Sequence, residues 1–144
     1  MTKREIIVIG GSAGAIEALM TLFATLRDGL PATLFIAVHT SIDSPGMLPE
    51  ILSSRSSIRV QHGADGQRFE KGCAYIAPPD RHMLVEADGL IRLTRGPKEN
   101  RFRPAIDPLF RSAAQVCGPG AIGVILTGNL DDGSAGLKTI KQLG

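Results

Sequence analysis

The chain alternates between short, continuous apolar runs and segments in which apolar residues recur every three or four positions. The β-branched runs Ile6–Ile9 and Leu34–Val38 are typical of strands that are buried on both faces of a parallel sheet. Between them, apolar residues at helical spacing from Ile16 to Leu26 predict a helix that ends near Asp28-Gly29. This alternation predicts an α/β fold with helices on both sides of the sheet.

The same alternation continues towards the C-terminus. The predicted elements are a short helix that begins at Pro45, a weak strand at Ile58–Val60, a helix with apolar residues from Ile106 to Val116, a strand at Ala121–Leu126 and a helix at Gly133–Leu143. We therefore predict a doubly wound three-layer sandwich with a mainly parallel sheet.

The middle of the chain has a different pattern. Three short apolar runs, Cys73–Ala77, His82–Ala87 and Leu90–Thr94, are separated by turn residues, and Asp88-Gly89 is a strong hairpin signal. We interpret all three runs as an antiparallel excursion attached to the parallel sheet. A polar, mainly basic loop at Arg92–Arg103 follows them.

Composition narrows the class of protein. A length of 144 residues fits one domain, and 43% apolar against 21% charged residues is typical of a globular protein rather than a disordered one. The net charge of only +2 argues against nucleic acid as a partner and against binding to membrane surfaces. Cys73 and Cys117 lie too far apart for a metal or redox motif, so we expect reduced thiols.

No apolar run approaches the roughly 18 residues that a membrane span requires, and the run before Gly10 is too short for the core of a signal peptide. We therefore expect a cytoplasmic protein without membrane insertion.

Residues Gly10–Gly14 match the pattern Gly-x-Ser-x-Gly between a predicted strand and a predicted helix. In a nucleophile elbow, such a turn lifts the serine hydroxyl clear of the sheet. Ser12 is therefore a candidate nucleophile. The N–H group of Ala13 is a candidate oxyanion donor, because backbone N–H groups at a helix start carry partial positive charge.

A glycine-rich turn between strand and helix also binds phosphate, so anion binding is an equal alternative on this motif alone. The dinucleotide pattern Gly-x-Gly-x-x-Gly is not met, because Ser12 occupies its third position. No acidic residue ends the second strand, which is followed by His39 and Thr40.

A serine hydroxyl needs a base, and His39 is the best-placed of the three histidines. It directly follows the second strand, so Ser12 and His39 should lie at the same edge of the sheet. The third member of a triad is a carboxylate that orients the imidazole. Asp131 and Asp132 both follow the last strand, and either one is also suited to capping the next helix. The order Ser, His, Asp differs from that of the α/β-hydrolases.

Five segments in order resemble the catalytic domain of the chemotaxis receptor protein-glutamate methylesterases, the CheB family. They are Ile9–Gly14, Val38-His39, Tyr75–His82, Arg103–Phe110 and Leu126–Gly133. The resemblance implies Ser12 as nucleophile, His39 as general base and Asp132, rather than Asp131, as the orienting acid. It also implies that the backbone N–H at Asn129 joins that of Ala13 in holding the oxyanion.

The activity that this resemblance implies is hydrolysis of glutamyl methyl esters on chemoreceptor helices, together with deamidation of receptor glutamines. It implies no cofactor and no metal. The expected partners are methylated chemoreceptors and other chemosensory signalling proteins. Arg103 is a candidate substrate contact, and the neighbouring basic residues are candidates for steering the enzyme to acidic helices.

The chain departs from the family pattern at one important place. Asn129-Leu130 stands where the family usually has Met-Gly, so a non-catalytic chemosensory or receptor-binding module is the alternative reading. From the resemblance we also expect residues 1–144 to form one catalytic domain that lacks a C-terminal strand and helix and carries no receiver domain.

Overall fold

The computed structural model describes residues 6–39, 47–99, 102–126 and 133–143. The strands are β1 (Ile6–Gly11), β2 (Thr33–Val38), β3 (Arg59–His62), β4 (Cys73–Ile76), β5 (His82–Val85), β6 (Ile91–Thr94) and β7 (Ala121–Ile125). The helices are α1 (Ile16–Thr25), α2 (Leu48–Ser53), α3 (Ile106–Cys117) and α4 (Ser134–Leu143), with short 3₁₀ turns at Ala13–Ala15 and Gly118–Gly120.

Five strands form one parallel sheet in the order β3-β4-β2-β1-β7. β1 lies between β2 and β7, with Gly11 opposite Val38 on one side and Gly10 opposite Ile125 on the other. The chain leaves β1 towards β2 and returns to its other side only at β7. In open α/β sheets, ligands bind beyond the carboxyl ends of the strands where the strand order reverses in this way.

Two apolar clusters cover the two faces of the sheet. One joins α3 and α4 to alternate strand residues such as Ile6 and Val8, and the other joins α1 and α2 to residues such as Ile9 and Leu34. This confirms the doubly wound three-layer prediction. No helix in the described part of the chain is both long and apolar enough to cross a membrane.

One part of the predicted topology is wrong. The run Cys73–Ala77 was assigned to the antiparallel excursion, but β4 pairs in parallel with both β2 and β3. All four of its residues are buried, as expected for a strand covered on both faces. The hairpin itself is formed by β5 and β6 around Asp88-Gly89, as predicted, with Gly89 at φ 85°.

Helix α1 ends earlier than predicted. It stops at Thr25, because Leu26 adopts an extended conformation (φ −77°, ψ 143°) that turns the chain back towards β2. The predicted stop at Asp28-Gly29 lies in the following turn, where Gly29 has φ 84°.

Helix α3 packs unusually close to the carboxyl end of β1. A Cβ atom at Gly10 would lie 2.5 Å from Cγ2 of Ile106, so only glycine fits there. This close approach brings the start of α3 beside the end of β1, the strand that leads into the turn carrying Ser12.

Candidate active site

Ser12 and His39 leave the carboxyl ends of neighbouring strands. Gly11 pairs with Val38 in the β1–β2 register, and the N–H of His39 donates to the carbonyl of Gly11 at 3.0 Å. The two residues therefore begin one strand spacing, about 4.8 Å, apart. This register confirms that Ser12 and His39 share one edge of the sheet, while their catalytic roles stay predictions.

The turn after β1 connects a strand to a helix, as the sequence predicts. The N–H of Ala15 donates to the carbonyl of Ser12 at 2.8 Å, which closes a 3₁₀ turn directly before α1. Gly14 is exposed, and a Cβ atom there would lie 4.0 Å from the Ser12 hydroxyl oxygen. The N–H of Ala13 belongs to the first turn of this helical segment, where N–H groups have no intrahelical acceptor.

The chain that follows β7 also starts at this edge of the sheet. The N–H of Leu126 donates to the carbonyl of Gly10 at 2.9 Å, so the chain beyond β7 starts beside the elbow. The candidates Asn129, Asp131 and Asp132 follow, but they lie outside the described residues. Their roles in the oxyanion hole and the triad therefore stay predictions.

His39 is enclosed by protein. It is 6% exposed, and its Nδ1 atom is shielded from solvent. The ring of Phe102 lies flat against the imidazole, with ring centroids 3.5 Å apart and planes 3° from parallel. Sequence reasoning did not identify Phe102 as part of the site.

His82 has a structural environment. Its Nε2 is 2.8 Å from the carbonyl of Pro97, which can only accept, so Nε2 carries the proton. Its Nδ1 accepts from the N–H of Ala105 at 3.3 Å. Both ring nitrogens are thus engaged with backbone in the neutral tautomer, and the ring ties the start of β5 to the start of α3.

His62 lies too far from the elbow to act as its base. It ends β3, which is separated from β1 by β4 and β2. Three strand spacings amount to about 14 Å. Burial lowers the pKa of His62, and the charge of nearby Glu50 opposes this shift.

Arg103 is held by an internal ion pair. Its Nε and Nη2 lie 2.8 and 2.6 Å from Oδ1 of Asp80, and its Nη1 donates to the carbonyl of Gly96 at 3.1 Å. Arg95 binds the other carboxylate oxygen of Asp80. The hydrogen bond from Arg103, assisted by Arg95, holds the pKa of Asp80 below its ordinary value, against an opposing effect of desolvation. The structure thus places Arg103 in a scaffold that bonds the loops together.

The basic loop is partly neutralised within the molecule. Arg92 pairs with Glu86 at 3.3 Å, and Arg95 pairs with Asp80. Lys98 is exposed, whereas Arg101 lies outside the described residues. These internal pairs reduce the positive charge that remains for steering acidic partners.

The start of α4 is bound by a side chain from α3. Oδ1 of the buried Asp107 accepts from the N–H groups of Gly133 and Gly136 at 2.9 and 2.7 Å. The sequence predicts a cap for this helix from Asp131 or Asp132, and because both lie outside the described residues this stays a prediction. The sequence signal that could have pointed to Asp80, Arg103 and Asp107 is that all three lie in segments that resemble the CheB family.

Comparison with known proteins gives a consistent result. The profile of the family described as CheB methylesterase matches residues 7–144. The crystal structure of the Thermotoga maritima CheB methylesterase catalytic domain superposes with a TM-score of 0.94 at 32% identity, covering 99% of this chain and 77% of that chain.

Relatives similar in sequence carry the corresponding names. Protein-glutamate methylesterase/protein-glutamine glutaminase 3 of Rhodopseudomonas palustris is 40% identical over 99% of this chain. The protein-glutamate methylesterase/protein-glutamine glutaminase of Photorhabdus laumondii is 40% identical over 100% of this chain. The chain spans 40% and 42% of the lengths of these two relatives. From the family profile and the shared fold, the chain belongs to the CheB methylesterase family.

Proposed function

We propose that the chain is a serine hydrolase that removes methyl groups from glutamyl methyl esters on the helices of chemoreceptors. The observation that carries this proposal is the placement of Ser12 and His39 on adjacent strand ends, linked by the hydrogen bond from His39 N–H to the Gly11 carbonyl. This placement lets the two side chains come within hydrogen-bond reach of each other, as a nucleophile and its base require. The names of the relatives support the substrate class.

In the first half of the reaction, Oγ of Ser12 attacks the ester carbonyl while His39 takes the hydroxyl proton. The tetrahedral intermediate collapses to a glutamyl-serine ester, and His39 returns the proton to the departing methoxide, which leaves as methanol. In the second half, His39 takes a proton from water, and the resulting hydroxide attacks the acyl-enzyme. The second tetrahedral intermediate then breaks its bond to Oγ of Ser12 while His39 returns the proton to that oxygen, which gives a free glutamate side chain and the restored serine.

The backbone supplies the oxyanion donors in this mechanism. The N–H of Ala13 starts the 3₁₀ turn after the nucleophile, and the N–H of Asn129 is the proposed second donor. Losing one such donor typically lowers the rate by roughly 10²–10³. Because these donors are backbone groups, the exchange of Met-Gly for Asn129-Leu130 is compatible with activity.

Asp132 is the proposed orienting acid. Nδ1 of His39 is shielded from solvent, so a hydrogen-bond partner of this atom comes from the protein rather than from bulk water. A carboxylate in this position holds the correct tautomer and stabilises the imidazolium that forms during each proton transfer.

The same machinery also suits receptor glutamine as a substrate. Attack of Ser12 on the side-chain amide gives the same acyl-enzyme with ammonia as leaving group, and glutaminase stands in the names of the relatives. We propose methylated chemoreceptors as partners and the cytoplasm as the location. Mass spectrometry of a receptor peptide bearing glutamine, before and after incubation, tests the deamidation separately.

Methanol release from membranes that carry methylated chemoreceptors tests the main reaction. We expect the wild-type protein to release methanol and Ser12→Ala to lose nearly all of this activity. Ser57→Ala is the matched control, because Ser57 is exposed in the turn before β3 and remote from the elbow. Equal release by wild type and Ser12→Ala would refute the proposed nucleophile, and no release by either protein would favour the non-catalytic reading.

A further inference from the structure

A phenyl ring covers one face of the proposed base. Phe102 and His39 stack with centroids 3.5 Å apart and planes 3° from parallel. This is van der Waals contact over the whole face of the imidazole. The last torsion of a histidine side chain is intrinsically broad, so a flat neighbour at this distance restricts it strongly.

Phe102 is itself held on its N-terminal side. The N–H of Glu99 donates to the carbonyl of Phe102 at 3.0 Å, and the N–H of Phe102 donates back to Glu99 at 2.9 Å. The carboxylate of Glu99 lies 2.7 Å from Nη2 of Arg111 on α3. The backbone pair of Glu99 and Phe102 is thus attached to α3.

The residue after Phe102 is fixed as well. Two nitrogen atoms of the Arg103 guanidinium bind the carboxylate of Asp80, and the third donates to the carbonyl of Gly96. Asp80 follows β4, the strand beside β2, and it adopts φ 61°, which is uncommon outside glycine but tolerated by aspartate. Backbone and ion-pair contacts therefore hold the residues on both sides of Phe102.

We infer that Phe102 is a positioning residue for His39. Its ring holds the imidazole in the plane in which Nε2 passes the proton between the serine and the leaving group. Rotation of the imidazole about its last torsion would drive the ring edge into the phenyl face, so the stack excludes unproductive orientations. The inference rests on the proposed function of His39, and it adds a residue that does not touch the reacting atoms.

Phe102→Leu is the decisive variant, because leucine keeps an apolar side chain but removes the flat face. We expect kcat to fall about 10- to 100-fold, the range in which small misplacements of catalytic groups act, with KM nearly unchanged. Phe102→Tyr keeps the ring and should restore most of the rate. Phe69→Leu is the matched control: Phe69 packs edge-on against Phe35 in the core, so its loss should lower the melting temperature but leave kcat unchanged.

Proton NMR of the His39 ring gives a readout that does not depend on turnover. The stacked phenyl ring should shift the imidazole carbon-bound protons upfield in the wild type and in Phe102→Tyr. In a folded Phe102→Leu protein, these resonances should move back towards the positions of an ordinary histidine. Thermal unfolding of every variant identifies a protein that has failed to fold.

The outcomes separate this inference from the proposed function. A wild-type protein without esterase activity would refute the proposed function, and the NMR shifts would then decide whether Phe102 orders the ring. An active wild type with equal kcat in a folded Phe102→Leu variant would overturn the positioning role while leaving the esterase intact. A rise in KM alone would also overturn it, because that result assigns Phe102 to substrate binding.

Discussion

Single residues at the ends of strands were the most predictable part of the site. Ser12 and His39 each follow a buried apolar run directly, and parallel strands bring such positions to one edge. Phe102 could not be predicted in this way, because its contact with His39 depends on the backbone pairing of Glu99 with Phe102 and on two ion pairs that no local pattern encodes. Local periodicity predicts where a strand ends, whereas the partner of a side chain across the molecule requires the tertiary structure.

Gly10 lies in close contact with Ile106 beside the candidate site, and a larger residue there would clash with it. In Gly10→Ala, the new methyl group would lie 2.5 Å from Cγ2 of Ile106, so the Ile106 side chain or the start of α3 must shift away from β1. We expect a loss of about 1–3 kcal/mol in the free energy of unfolding, measured by urea denaturation, as is typical of overpacked cores. Esterase activity should also fall, because α3 packs beside the elbow.

Gly96→Ala is the matched control for this substitution. A Cβ atom at Gly96 would have only Thr94 Oγ1 at 3.8 Å, which is an ordinary contact. Its stability should stay close to that of the wild type. If Gly10→Ala were equally harmless, the close approach of α3 to β1 would not be required for the fold.

At the scale of elements, α4 depends on α3 for its first turn. Gly136 allows the two helices to approach, since a Cβ atom there would lie 2.5 Å from Cβ of Phe110. Asp107 then reaches the N–H groups of Gly133 and Gly136. The existence of α4 was predictable from its apolar spacing, but its cap was not, because the capping carboxylate comes from a different helix.

Asp107→Ala should therefore loosen α4. Two N–H groups would lose a buried carboxylate acceptor, and we expect a loss of roughly 1–3 kcal/mol in unfolding free energy. Asp107→Asn retains one acceptor oxygen and should lose less. Hydrogen exchange at the amides of Gly133 and Gly136, together with urea denaturation, measures both effects.

Asp28→Ala provides the comparison for the loss of a carboxylate. Asp28 is exposed in the turn after α1, so this variant should unfold like the wild type. Unchanged exchange at Gly133 and Gly136 in Asp107→Ala would show that the cap does not hold α4 in place.

At the scale of the whole molecule, the layered architecture followed from the sequence, while the place of β4 did not. The run Cys73–Ala77 is as short as the hairpin strands beside it, and its complete burial between β2 and β3 is visible only in the assembled sheet. The convergence of separate loops on Asp80 is likewise a property of the assembled molecule. Arg95 and Arg103 come from the chain after the hairpin, and Asp80 comes from the loop before it.

This convergence predicts how stability depends on pH. Arg103 and Arg95 hold the pKa of Asp80 below its ordinary value of 3.8 in the folded protein, so the folded state favours the ionised carboxylate. The stabilisation of the folded state is complete above pH 3.8, and it is lost as the pH falls through the lower pKa that Asp80 has in the folded protein.

The comparison of wild type with Asp80→Asn measures this contribution. The wild type should be the more stable at neutral pH, and the difference in unfolding free energy should shrink only when the pH falls below 3.8. Asp28→Asn, which removes an exposed carboxylate, should show little difference at any pH. A difference between wild type and Asp80→Asn that stays constant through acid pH would mean that the amide cannot replace the carboxylate for reasons of shape. If that difference disappears only below pH 3.8, the charge of Asp80 is what joins these loops.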